Sequence, residues 1–299
     1  MDALARIISR IKLFIKDLDD NQTLELLEHI SSGKMLRSKL ILKIAGISDE
    51  AIKLCAIVEM IHLASLLHDD VIDNSNTRRG KPSLNSIYDN KTAIMFGDIL
   101  YSTAFCQLST MNSKISYSIS KSVSLLSLGE LLDVRLSNEF NESYDKYMDM
   151  IYKKTASLIE ASAYSASILS GLDTNIYSLY GKNLGLAFQL IDDILDITQS
   201  TKTLGKPCMS DFYEGKMTIP YLILYDRIDD KLKFKSLYKK RLSINEINWI
   251  KDNMHKTSSL KDSINIAKNL GKEAIGSIKD EKNSIELINI MKDMINRDF

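Results

Sequence analysis

Residues 54–82 read LCAIVEMIHLASLLHDDVIDNSNTRRGKP. Val58, Ile61 and Ser65 fall on one stripe at helical spacing. The apolar run carries Glu59, His62 and His68 and then ends in acids, which marks a core helix rather than a membrane span. No stretch of the chain reaches the ~18 clean apolar residues that a spanning helix needs. Asp69 and Asp73 lie four apart, and Asp70 and Asp73 three apart, so on a helix these carboxylates share one face. Acids at a helix C-terminus oppose the macrodipole. Three of them there cost stability unless a cation or a ligand compensates. Arg78, Arg79 and Lys81 follow at once.

Working outward, residues 185–200 read GLAFQLIDDILDITQS. Asp192, Asp193 and Asp196 repeat the spacing of the first cluster, again behind an apolar stripe (Leu184, Ala187, Phe188, Ile191, Leu195), with Gln189 one turn earlier. If the two helices pack side by side, the acids face each other across a cleft. Carboxylate oxygens without histidine or thiolate suit a hard cation. Mg²⁺ keeps waters and binds a few carboxylates together with phosphates, so the pattern points to a metal and a phosphorylated ligand together. Basic residues supply the anion side. Lys34 and Arg37 follow Gly33, Lys153 and Lys154 precede Thr155, Lys206 follows Gly205, and Lys216 follows Gly215. Backbone N–H groups in such glycine turns also approach phosphate.

The rest of the chain sets the class. It has 299 residues with only 3 Pro and 12 Gly, so few breakers interrupt it. Period-two alternation is scarce, and the expected fold is all-α, a single domain over residues 1–299. Residues 1–20 read as an amphipathic helix rather than a signal peptide, because Arg6, Arg10, Lys12 and Lys16 interrupt every apolar run. From Lys231 onward the chain is polar but keeps a helical stripe (Ile264, Ala267, Leu270, Ala274), which predicts peripheral helices. Lys+Arg and Asp+Glu both number 39, so net charge does not direct the protein to nucleic acid. Cys55, Cys106 and Cys208 are too few and too scattered for a disulfide framework or a zinc site, and a reducing cytoplasm is the expected location.

Five segments in order resemble the trans-isoprenyl diphosphate synthases, the polyprenyl synthetase family. SGKMLRS (32–38) is similar to that family's GGKxxRP, although Ser32 stands for a glycine and Ser38 for the proline. Residues 61–82 are similar to its first aspartate-rich region with paired arginines, KKTASL (153–158) to its lysine–threonine element, and residues 185–196 to GxxFQxxDDxxD. LGKPCMSDFYEGKMTIP (204–220) is similar to the closing GKPxxxDxxxGKxTxP stretch.

The resemblance implies an isoprenoid synthase fold, with antiparallel helices around a deep central cavity, and a homodimer. It implies Asp69, Asp73 and Asp192 as main Mg²⁺ contacts, with Asp70, Asp193 and Asp196 as supporting ligands or neighbours. Arg78, Lys154, Thr155, Gln189, Lys206 and Lys216 would hold an allylic diphosphate; Lys34, Arg37, His62 and Arg79 would hold isopentenyl diphosphate. The implied catalytic set is Asp69, Asp73, Asp192, Lys154 and Lys206. The reaction implied is ionisation of the allylic diphosphate, attack by the isopentenyl double bond and loss of a proton. Val58, Ile61, Ala64 and Ser65 would line the chain-length tunnel. Small side chains at Ala64 and Ser65 leave that wall open, which implies a product of roughly C30–C45 for quinone side chains. Releasing so apolar a chain implies transient membrane contact. A short-chain farnesyl or geranylgeranyl diphosphate synthase would place aromatics at Ala64 and Ser65. A terpene cyclase would lack the second DDxxD, and a regulatory subunit would lose one acidic cluster. A catalytic subunit needing a different partner chain remains compatible with every motif.

Overall fold

The computed structural model describes residues 2–30, 33–199 and 209–295. Among them the chain is helical apart from one minimal hairpin, and it divides into two compact units. The first comprises residues 1–123 and 161–178, the second residues 124–160 and 179–299. All three boundaries fall inside helices.

The first unit is built on α4 (Asp49–Ile72). Ser48 caps it by accepting the Ala51 amide at 3.1 Å, and Asp49 and Glu50 complement the dipole in its first turn. Its length and hydropathy would suit a bilayer, but 72% of its apolar window is buried inside the protein. The covering elements are α1 (Ala3–Lys16), α3 (Leu36–Ala45) and α6 (Asn90–Leu108). Burying an Ile or Leu completely contributes about 1.5–3 kcal/mol, and Leu54, Ile57 and Ile61 are wholly buried. The expected N-terminal amphipathic helix is α1, which buries Ile7, Ile11, Phe14 and Ile15. α2 (Asn21–His29) and the short α5 (Leu84–Ile87) pack on α1 and α6 respectively.

One element departs from an all-helical reading. Thr77–Arg78 pairs antiparallel with Lys81–Pro82, with Thr77 opposite Pro82 and Arg78 opposite Lys81. Both turn residues are left-handed, Arg79 at φ 53° and Gly80 at φ 74°. That backbone matches the twist of a two-residue hairpin. Strands of two residues are too short to leave an alternation in the sequence.

Four helices cross or adjoin the unit boundaries or belong to the second unit's site: α7 (Ser113–Asn138), α8 (Tyr144–Ile151), α9 (Ser157–Ser170) and α10 (Thr174–Thr198). Between α8 and α9, residues Tyr152–Ala156 form a π-helical turn. The second unit continues with α11 (Ser210–Tyr213), α12 (Ile219–Arg227), α13 (Lys231–Leu237), α14 (Ile244–Lys256), α15 (Ser259–Ile278) and α16 (Ser284–Ile295). The polar C-terminal part is helical, as its stripe predicts. The face that α15 buries is displaced from that stripe, however. Ser263, Ala267, Gly271 and Ala274 turn inward, whereas Ile264 and Leu270 are only half-buried. Small residues win because α16 approaches closely; a Cβ on Gly271 would meet Ile295 Cδ1 at 2.0 Å.

Candidate active site

In the first unit the acids occupy the end of α4, and the sequence places no basic residue in its last turn. Asp69 is half-buried, Asp70 buried and Asp73 exposed. The hairpin folds back on them. Arg78 grips Asp70 Oδ1 through Nε at 2.7 Å and Nη2 at 2.6 Å. Asp70 is therefore held by protein, while Asp69 and Asp73 lie on a more open face. Arg79 rests against Gly33, where a Cβ would come 2.4 Å from its Nη2. Any larger residue at position 33 would oblige the guanidinium to move, so this glycine lets Arg79 lie where it does.

Arg37 enters from the first turn of α3, whose N-cap Met35 is left-handed. Ser38, standing where the family pattern has proline, donates its hydroxyl to Glu59 Oε1 at 2.7 Å. Its amide also reaches that oxygen, at 3.3 Å, a bond proline could not make. Glu59 in turn offsets the burial of the Arg37 guanidinium. His62, on α4, is held well below the usual histidine pKa by burial first and then by Arg37, Arg79 and Arg78. It is thus a neutral ring beside three guanidiniums. Such a cluster presents fork-shaped donors to a multiply charged oxyanion. Lys34 is exposed. The four residues assigned to the tunnel, Val58, Ile61, Ala64 and Ser65, are all buried, and the Ser65 hydroxyl donates to the His62 carbonyl at 2.9 Å.

The second unit contains a cavity of about 100 Å³ whose wall includes Asp133, Lys154, Thr155, Gln189, Asp193 and Lys216. The π turn puts Lys154 and Thr155 on it. Helices on either side hold this turn at backbone contact. A Cβ on Gly129 of α7 would lie 2.3 Å from the Lys154 nitrogen, and one on Gly185 of α10 would lie 2.5 Å from Ala156 Cα. π turns recur at functional sites because they re-aim side chains within a helix. Lys154 Nζ is oriented by Asp133 at 2.5 Å and Glu130 at 3.0 Å, both on α7.

A directed hydrogen-bond chain crosses the cavity. The Thr155 hydroxyl donates to Gln189 Oε1 at 2.8 Å, and Gln189 Nε2 donates to Asp193 Oδ1 at 3.0 Å. The buried Tyr147 hydroxyl donates to the other oxygen, Asp193 Oδ2. Asp193 is raised well above the usual carboxylate pKa. Burial is the largest cause, and Asp211 and Asp192 add like-charge repulsion against the two donors. Asp196 is also buried. It accepts the Ser210 hydroxyl at 2.8 Å and the Asp211 amide at 3.2 Å, and so pins the start of α11. Asp192 is half-buried. Lys216 is half-buried on a turn at Gly215 (φ 84°), with Nζ 2.7 Å from Glu214. Lys206 lies outside the described residues.

Both aspartate pairs thus share one pattern. The second acid (Asp70, Asp193) is buried and bound by protein donors, and the first (Asp69, Asp192) is half-buried. The donor set is all hard oxygen, and repulsion around Asp193 favours a cation, so the residues fit a divalent metal. Among the described residues, no three His, Cys, Asp or Glu side chains are grouped to hold a metal by themselves. Sequence reasoning missed Glu130, Asp133 and Tyr147 and gave Asp211 no role. Glu130 and Asp133 share a helix face three residues apart, a spacing that was open to detection. Tyr147 carries no such signal.

The profile of the Polyprenyl synthetase family matches residues 20–254. A prenyl transferase of Cyanidium caldarium is 38% identical over 284 residues, covering 90% of this chain and 87% of that protein. Of several other curated relatives the match spans less than two thirds of the length, 65% of one and 40% of another. Among solved structures, the octaprenyl pyrophosphate synthase of Helicobacter pylori is 41% identical with a TM-score of 0.92, covering 99% of this chain and 100% of that one. A polyprenyl synthase of Caulobacter crescentus CB15, complexed with calcium and isoprenyl diphosphate, is 28% identical with a TM-score of 0.88, covering 99% and 94%.

Proposed function

The chain belongs to the polyprenyl synthetase family and is a prenyltransferase of the trans-polyprenyl diphosphate synthase type, and on that premise we propose its metal, substrates, product and residue roles. The metal is Mg²⁺. Asp69 and Asp73 would hold it in the first unit, and Asp192 would hold it in the second. When bound, the metal offsets the charge of the diphosphate and of the acids. The observation that carries this reading is the shared split between the two aspartate pairs. Asp70 is buried and held by Arg78, and Asp193 is buried and held by Gln189 and Tyr147, whereas the first acid of each pair is the more exposed one.

The allylic substrate is farnesyl diphosphate, held by Arg78, Lys154, Thr155, Gln189, Lys206 and Lys216. Lys154, fixed by Asp133 and Glu130, stabilises charge on the departing diphosphate. Isopentenyl diphosphate lies on Lys34, Arg37, Arg79 and His62. The allylic C–O bond breaks with its electron pair leaving on the diphosphate, the isopentenyl double bond attacks the allylic carbon, and the proton then lost passes to the released diphosphate; the product is again allylic, so the cycle repeats. Exclusion of water protects the cationic carbon. The product is octaprenyl diphosphate, for quinone side chains; the likeness to an octaprenyl pyrophosphate synthase supports that length. The protein acts in the cytoplasm as a homodimer. Exposed Ile94, Met95 and Phe105 on α6 support an apolar contact between copies.

A product assay tests the reading. The purified chain receives Mg²⁺, labelled isopentenyl diphosphate and farnesyl diphosphate, and the dephosphorylated products are sized by chromatography. A ladder ending at a C40 prenol is expected. Asp69→Ala and Asp192→Ala should each remove most turnover without unfolding the chain, and near-normal turnover would refute their metal role. Ala64→Tyr should shorten the products while isopentenyl turnover persists.

A further inference from the structure

Outside the candidate site, the second unit carries a strongly basic segment. Residues 229–241 read DDKLKFKSLYKKR. Lys231, Lys233, Lys235, Lys239, Lys240 and Arg241 are all exposed. The two acids sit together at the start, where the Asp230 carboxylate caps α13 by accepting the Lys233 amide at 2.9 Å. In a chain with no net charge, this concentration of cations creates a local positive field.

The segment is presented by a fixed scaffold. Phe234 and Leu237 turn inward, and Phe234 packs edge-on against Phe140 and Phe212. The ammonium groups of Lys231, Lys233 and Lys235 lie over the rings of Tyr225, Trp249 and Phe140, which positions these exposed cations on the scaffold. Lys235 also pairs with Glu142 at 2.7 Å. Two aliphatic side chains project here as well, Leu232 in α13 at 84% exposure and Ile244 at the start of α14 at 67%.

Clustered cations with projecting aliphatics match an anionic bilayer surface, which attracts the charges and accepts the apolar tips. A nucleic-acid surface is less well matched. It favours arginine forks and free aromatic faces, whereas this segment has one arginine and Lys233 covers the ring of Trp249. We propose that α13 and the turn leading into α14 dock this protein on membranes rich in anionic phospholipid. The purpose rests on the long-chain reading above: a long polyprenyl chain leaves an enzyme held at a bilayer more readily than one in water.

Sedimentation with vesicles tests the docking, and product sizing is measured separately. The full-length protein should pellet with phosphatidylcholine vesicles containing about a third phosphatidylglycerol, should stay in solution with pure phosphatidylcholine, and should be released by raised salt. Each cation near such a surface raises partitioning roughly fivefold. Lys240→Ser with Arg241→Ser should therefore weaken binding roughly thirtyfold, and Leu232→Ser with Ile244→Ser should weaken it with less effect on its salt dependence. Both double variants should keep their helical circular dichroism and their turnover on a soluble primer. Equal binding to neutral vesicles, binding unaltered in the first double variant, or preference for duplex nucleic acid over vesicles would overturn the proposal. If vesicles bind but the products are short, the docking stands and the long-chain reading fails.

Discussion

Tyr147 is the residue that best shows how the site is held. Its ring is buried, and burial, followed by the charge of Asp193, pushes its phenol well above its usual pKa. It therefore stays a donor to Asp193 at any working pH. Tyr147→Phe leaves a buried carboxylate one donor short, which costs about 1–3 kcal/mol. The expected result is a lower melting temperature together with roughly tenfold lower kcat/KM for the allylic diphosphate. Unchanged kinetics in a folded variant would show that Asp193 needs no such support. His62 makes a second prediction. Its folded pKa is depressed by burial and by Arg37, Arg79 and Arg78. A histidine of ordinary pKa ~6.5 in the unfolded chain takes up protons as pH falls below that value, while the folded ring does not. His62 therefore makes the protein less stable as pH drops below about 6.5. His62→Gln should flatten that part of a stability–pH curve measured by denaturant melts. The spacing of the motifs identifies the acids and arginines at this scale, but it does not tell which acid of each pair is buried.

At the scale of elements, the π turn decides where Lys154 and Thr155 point, and two glycines decide whether the turn fits. Gly185→Ala would drive a Cβ against the Ala156 backbone. No flexible side chain can yield there, so the expected cost is about 1–3 kcal/mol of overpacking strain. Loss of turnover should exceed that seen for alanine at Gly276, an α15 glycine whose Cβ would meet nothing within 4 Å. Thermal melts and steady-state kinetics of the two variants make the comparison. Helix existence was legible in the stripes of Val58, Ile61 and Ser65 and of Leu184, Ala187 and Ile191, because a 3.6-residue period is a local property. The hairpin at Arg78 was not legible, since two-residue strands carry no period. The stripe of α15 coincides with its buried face only at Ala267 and Ala274, since Ile264 and Leu270 stay half-buried. Periodicity marks large apolar residues, whereas close packing against α16 selects Ala267, Gly271 and Ala274.

At the scale of the whole molecule, the exposed apolar residues of α6 bear on assembly. Met95 is 57% exposed, and Ile94 and Phe105 are also open. Met95→Asp would put a charge into the proposed contact between copies, and sedimentation should then report a monomer where the parent chain is a dimer. A monomeric parent chain would remove the homodimer from the proposed function. The amino-acid sequence alone determined the helical class, through its scarcity of breakers and its helical stripes, and the chemistry of the site, through two DDxxD clusters and their basic companions. Those are properties of composition and near-neighbour spacing, which need no knowledge of packing. Only the tertiary structure decided that Tyr147 serves Asp193 across 46 residues and that Glu130 and Asp133 hold Lys154 across 24 and 21. It also decided that Arg78 returns to Asp70 through a hairpin. A hydrogen bond between distant residues depends on which helices pack and at what distance. Backbone contact at Gly129 and Gly185 sets that distance, and no local period encodes it.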